Sequence, residues 1–352
     1  MRLEHPAYVT DLTKIAELSL PWEKLRGKTL LITGASGTIG TFLVDVLMKK
    51  NAEEALDLTV LAVGRNEKTA KRRFSAYWED PGFRFLPHDV NLPWEETVET
   101  DLIIHAASNT HPKAYAEDPV GTITANVFGL YHLLELAVRC KSERVLLLSS
   151  VEIYGQNRDY LDAFSEKDMG YIDCNTMRAG YPESKRTAEA LCRAYEKAYG
   201  LDSVILRLCR IYGPTMPDSD TKALAQFIKN ALNGENIVLK SEGTQFFSYC
   251  YVADAVGAIL TVLLCGESGE AYNVADPNSD ISLRDLAGLI AEANGVKVVF
   301  ELPSEQERQG FSVADRAVLA PEKLNALGWK AQTGIREGVV KTIEILKAVK
   351  EW

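Results

Sequence analysis

Tyrosine, lysine and serine stand in this sequence at positions that suit proton and hydride transfer. Tyr181 and Lys185 lie at i and i+4 in Tyr-Pro-Glu-Ser-Lys, so a helix there puts both on one face. A lysine ammonium beside a phenol stabilises the phenolate, and each unit of pKa depression is worth about 1.4 kcal/mol. Bringing a tyrosine from about 10 to near neutrality therefore asks roughly 4 kcal/mol of its surroundings. Upstream, Ser150 closes the apolar run 144–149, and its hydroxyl can hydrogen-bond a reacting oxygen. A Tyr-x-x-x-Lys spacing alone is common by chance. Behind a strand-borne serine and a glycine triplet it is a strong signal.

The triplet lies in Thr33-Gly-Ala-Ser-Gly-Thr-Ile-Gly40. Gly34 permits a tight turn, Gly37 lets backbone approach a pyrophosphate, and Gly40 allows close helix–strand packing. Ser36, Thr38 and Ile39 fill the turn and the first helical positions, where free N–H groups and the positive dipole end face phosphates. The following strand ends in Gly64-Arg65-Asn66, with no acid to bind a ribose hydroxyl pair. Arg65 offers a partner for a 2′-phosphate instead, which favours NADP over NAD.

These residues need a frame. Runs 28–33, 58–63, 83–86, 101–105, 144–149 and 203–208 read as strands, and 38–50, 120–140 and 181–199 as helices. The alternation predicts an α/β fold, a Rossmann-like doubly wound parallel sheet with a smaller C-terminal substrate-binding lobe. Residues 1–27 form a polar lead-in with a short helix over 11–18. Residues 28–212 form the dinucleotide-binding domain. Residues 213–352 are mainly the lobe, with helices 221–233 and 253–264, strand 237–240, and some segments returning to the main sheet.

Composition excludes several classes. The net charge of -10 opposes binding to nucleic acid or an anionic membrane. Six scattered cysteines, without C-x-x-C spacing or nearby histidines at ligand spacing, read as reduced thiols and give no metal site. The N-terminal residues show no signal-peptide core, and the apolar runs are too short to span a bilayer. The expectation is a cytoplasmic protein.

Taken together, the motifs resemble the NAD(P)-dependent epimerase/dehydratase family of extended short-chain dehydrogenases, over about residues 28–345. The resemblance implies that Gly34, Gly37 and Gly40 hold the pyrophosphate, and that Asp89 and Val90 meet the adenine. It also implies that Ala106, Ala107 and Ser108 line the cofactor, and that Asn126 is the buried asparagine behind the site. Ser150, Tyr181 and Lys185 match the catalytic triad, and a nucleotide-sugar substrate and a homodimer through helices 120–140 and 181–199 are implied. Glu152 stands where dehydratases and sugar-acid decarboxylases carry glutamate. In a 4,6-dehydratase it would remove the C5 proton of a 4-keto sugar, and that outcome is favoured here.

Two departures bear on this expectation. Val151 replaces the aspartate of DEVYG-type dehydratases. Phe247 replaces the arginine of a G-x-Q-x-R-x-F pattern in which Gln245 is retained; that arginine contacts diphosphate, or the carboxylate in decarboxylases, so Phe247 tells against UDP-glucuronate decarboxylation. Yet Tyr181 to Arg186 and the 111–136 stretch look closest to the decarboxylases. Arg210, where asparagine is usual, and Arg316, which matches a C-terminal diphosphate-binding arginine, are the candidates to supply the missing charge through bidentate contacts. Decarboxylase or 4-epimerase activity, an NADPH-consuming keto-sugar reductase, and a non-catalytic NAD(P)-binding regulator remain as alternatives. The intact Ser150, Tyr181 and Lys185 oppose the last.

Overall fold

Short runs rich in leucine, isoleucine and valine form the strands that carry the site. They are Thr29–Thr33 (β1), Thr59–Gly64 (β2), Phe83–Pro87 (β3), Leu102–His105 (β4), Arg144–Ser150 (β5) and Ser203–Leu208 (β6). Further along come Arg210–Tyr212 (β7), Ile237–Leu239 (β8), Phe246–Tyr251 (β9), Ala271–Val274 (β10), Asp280–Ser282 (β11), Val298–Phe300 (β12) and Arg316–Ala317 (β13). The computed structural model describes residues 2–110, 117–301 and 315–349; residues 111–116 of the decarboxylase-like stretch lie outside them.

The main sheet has seven strands in the order β3-β2-β1-β4-β5-β6-β10, all parallel. Strand order reverses between β1 and β4, which opens a crevice above their C-terminal ends. Helices cover both faces, which is why the strands read as near-continuous apolar runs. One face carries Pro119–Cys140 and Gly180–Tyr199, whose Leu130, Leu133 and Cys192 pack on Val145, Leu147 and Ile205. The other carries Thr38–Glu54 and Val252–Cys265. Burying each leucine-sized side chain contributes about 2 kcal/mol.

In chain order the helices are Pro6–Ala16 (α1), Thr38–Glu54 (α2), Glu67–Arg73 (α3), Pro119–Cys140 (α4), Gly180–Tyr199 (α5), Ala223–Leu232 (α6), Val252–Cys265 (α7), Leu283–Asn294 (α8), Glu322–Asn325 (α9) and Ile335–Val349 (α10). The N-terminal helix begins earlier than the expected 11–18. Pro6 at its first turn needs no N–H partner there. The lead-in is also less polar in role than in composition: Tyr8, Leu12 and Ile15 form one buried stripe. Arg2 pairs with Asp45 of α2 at 3.0 Å, and the Tyr8 hydroxyl donates to the same carboxylate. Asp11 accepts from Tyr251 at 2.8 Å and pairs with Lys341 at 3.0 Å.

The chain from β7 onward builds two small sheets and also returns to the main one, since β10 pairs with β6 and α7 is buried along nearly its whole length. In the small sheets β9 lies between β11 and β13 and also pairs with β7, while β8 pairs with β12. Among the described residues, no helix is long and apolar enough to cross a membrane.

Candidate active site

The turn between β1 and α2 is a cradle that a side chain would fill. Gly34 has φ +68°, and a Cβ on it would lie 2.7 Å from Ala106 O. A Cβ on Gly40 would lie 2.5 Å from Gly34 O, so α2 could not sit as close to β1. Gly37 caps the start of α2 without a side-chain hydrogen bond, and the buried Ser36 Oγ has no partner among the described residues. Unmet donors around a helix N-terminus fit the pyrophosphate of a dinucleotide. Thr33 Oγ1 accepts from Ala106 N and Ala107 N at 3.2 and 3.1 Å, which locks the neighbouring turn after β4.

One cavity of about 1360 Å³ runs from this cradle to β7 and β9. Gly34, Ser36, Gly37, Thr38, Ile39 and Gly40 line one end, with Arg65, Asp89, Val90, Ala106, Ala107 and Ser108 beside them. Arg65 is exposed, and the Asn66 side chain is spent capping α3 through Thr69 N. Ser150, Glu152, Tyr181, Lys185, Arg210 and Gln245 line the middle and far end. Asn126 and Arg316 do not line it. Asn126 is buried behind the site and donates to Ser184 Oγ at 2.9 Å, and that hydroxyl donates to Tyr181 O. Arg316 is exposed on β13, donating to Asp162 O at 3.0 Å and lying over Phe246.

Tyr181 opens α5 and Ser150 ends β5, and their side chains are hydrogen-bonded to each other. Lys185, one turn on, donates to Leu148 O at 2.8 Å and faces the Tyr181 ring at 5.9 Å. All three are buried. Burial pushes the Tyr181 phenol up to about 12, against the hydrogen bond from Ser150. The low-dielectric wall penalises the phenolate, so a shift toward neutrality asks more of the neighbours of Tyr181 than the ordinary phenol value implies. A phenolate near neutral pH would ask roughly 7 kcal/mol of cationic neighbours instead of roughly 4. Burial brings Lys185 down to about 8, with Glu189 acting in the opposite direction. His105 is buried and does not line the cavity: burial, reinforced by the Lys185 charge, holds it down to about 3, and Nδ1 contacts Thr33 Oγ1 at 2.8 Å.

Beside this group, Glu152 Oε2 accepts from Arg178 at 3.0 Å and Oε1 lies 3.8 Å from Arg210. The arrangement can hold an oxygen at Ser150, exchange its proton with Tyr181, and meet a polar substituent at Glu152 and the two arginines.

The chain matches the profile of the NAD dependent epimerase/dehydratase family over residues 30–275. It belongs to that family. UDP-glucuronic acid decarboxylase 3 of Arabidopsis thaliana is 30% identical over 88% of this chain and 86% of its own. A dTDP-glucose 4,6-dehydratase from Streptomyces venezuelae, solved with NAD, superposes with a TM-score of 0.79 at 24% identity, covering 92% of this chain and 98% of its own. A UDP-glucose 4-epimerase from Thermotoga maritima gives 0.78 at 21%, covering 92% and 99%. At those identities the structural likenesses carry the fold.

In this member of the epimerase/dehydratase family, two arginines, Arg178 and Arg210, flank Glu152. Sequence reasoning singled out Arg210 and missed Arg178. Arg178 lies in the short turn Met177–Ala179 that leads into α5, three residues before Tyr181. A cation just ahead of a Tyr-x-x-x-Lys helix was the signal available, since whatever enters that helix must pass the site.

Proposed function

We propose that this enzyme remodels a nucleotide-sugar through a 4-keto intermediate, and that decarboxylation of a linked uronic acid is its main outcome. The observation that carries the reading is the hydrogen-bonded Ser150–Tyr181 pair with Lys185 behind it, in the same cavity as the glycine cradle. Tyr181 Oη takes the C4 hydroxyl proton, and Ser150 holds the oxygen as it becomes a carbonyl. Lys185 stabilises the phenolate that Tyr181 needs to act as base. A nicotinamide dinucleotide held at the Gly34–Gly40 turn would supply the redox partner for C4. Arg65 at the cavity rim, with no acid at the tip of β2, supports NADP over NAD.

A C4 ketone makes the C6 carboxylate of a uronic acid a β-keto acid: the C5–C6 bond breaks, its electron pair becomes the C4–C5 enolate, and C5 then takes a proton from water, so no strong base at C5 is needed. Elimination needs Glu152 as that base, but its Oε2 is engaged by Arg178. The decarboxylase relatives, aligned over 88% of the chain, support the same choice. Exposed Val120, Phe128 and Tyr131 on α4 and Tyr199 on α5 support a homodimer through these helices.

The test is mass spectrometry of UDP-, dTDP- and GDP-linked hexoses and uronic acids after incubation with cofactor-loaded protein. Loss of carbon dioxide from a uronic acid is expected, and Tyr181→Phe should abolish it while cofactor affinity stays near wild type. Loss of water would return the dehydratase, and an unchanged mass with inverted C4 the epimerase. Stoichiometric consumption of NADPH would mean a reductase.

A further inference from the structure

Among the described residues of the cavity wall, Arg210 has its guanidinium seated over an aromatic ring. β7 runs parallel to β9 with Arg210 opposite Tyr249, and this register lays the guanidinium 3.4 Å from the centroid of Phe247. A guanidinium on a ring face keeps its in-plane N–H groups for acceptors at its edge. Little meets that edge. Nη2 has only the 3.8 Å approach to Glu152 Oε1, longer than a hydrogen bond, and Nη1 is buried without a partner among the described residues. A buried charged donor left unpaired is costly, so this edge is built for something that arrives. Its neighbourhood identifies the ligand group: Glu152 lies two residues from Ser150 and close enough to act on the Tyr181 phenol electrostatically. Whatever meets Arg210 is therefore attached near the sugar's oxidised carbon, and a planar anion matches a planar fork.

We propose that Arg210, seated on the Phe247 ring, reads a carboxylate on the sugar and so selects nucleotide-linked uronic acids over neutral hexoses. The proposal rests on the nucleotide-sugar reading. Phe247 thereby acts as a positioning residue: an aromatic platform on β9 fixes a charge delivered from β7.

Calorimetry on cofactor-loaded protein, with UDP- and dTDP-glucuronic acid against UDP- and dTDP-glucose, tests it apart from turnover. Wild type should prefer a uronic acid by about ten- to a hundredfold, the range of a charge-assisted hydrogen bond. Arg210→Gln should erase that preference. Arg210→Lys, which keeps the charge without the fork, should recover only part of it. Phe247→Leu should reduce it by about three- to tenfold through loss of the stack. No preference in wild type for either base overturns the proposal. So does an Arg210→Gln that weakens glucose and glucuronic acid conjugates equally, which would make Arg210 a diphosphate ligand. A preserved preference without turnover sinks the decarboxylase reading alone; turnover without preference sinks the role of Arg210 alone.

Discussion

Lys185 is held in the wall at an energetic cost that its pH dependence exposes. Burial lowers it to about 8 from an unfolded value of 10.5. Below pH 8 it is charged in both states, and holding that charge inside costs on the order of 3 kcal/mol. Between about 8 and 10.5 the unfolded chain binds a proton that the folded chain has released, so the cost shrinks as pH rises. Measured by denaturant unfolding against Lys185→Met, wild-type stability should gain up to that amount from pH 8 to 10; a flat difference would remove the buried-charge account. The Tyr181–Lys185 pairing was legible in the sequence because helical spacing fixes which side chains share a face. The Glu152–Arg178–Arg210 group was not. Its members come from three elements, and no periodicity links residues 152, 178 and 210.

At the scale of elements, β1, its turn and α2 act as one unit. Gly34→Ala would need a left-handed backbone for a residue with a Cβ, and the added carbon would meet Ala106 O at 2.7 Å. The expected result is at least about tenfold weaker dinucleotide binding, read by cofactor fluorescence, as the cradle shifts away from the pyrophosphate. Binding at wild-type strength would show that the turn is not the cofactor's seat. The strands and long helices agree with their sequence patterns to within a few residues, since short apolar runs alternating with longer amphipathic segments favour buried parallel strands between helices. α1 was misjudged because its apolar stripe is anchored by polar residues, Arg2 and Asp11, whose partners lie 43 and up to 330 positions away.

For the whole molecule, the exposed apolar side chains of α4 argue for a partner. Phe128 is 54% exposed and Val120 70%, on the helix face away from the sheet. Phe128→Glu should convert a dimer to monomer in sedimentation velocity, because a charge at a dry helix interface is left without compensation. A wild-type chain that sediments as a monomer would remove the assembly proposal.

By itself, the sequence determined the α/β class, the glycine cradle and the serine–tyrosine–lysine group. Each depends on short-range spacing along one strand, turn or helix. Only the tertiary structure decided that Arg210 lies over Phe247, that Arg178 holds Glu152, and that Arg316 stays outside the cavity. Those relations depend on the register of β7 on β9 and on the path of the chain into α5. Both are set by packing between segments far apart in sequence, where local patterns carry no information.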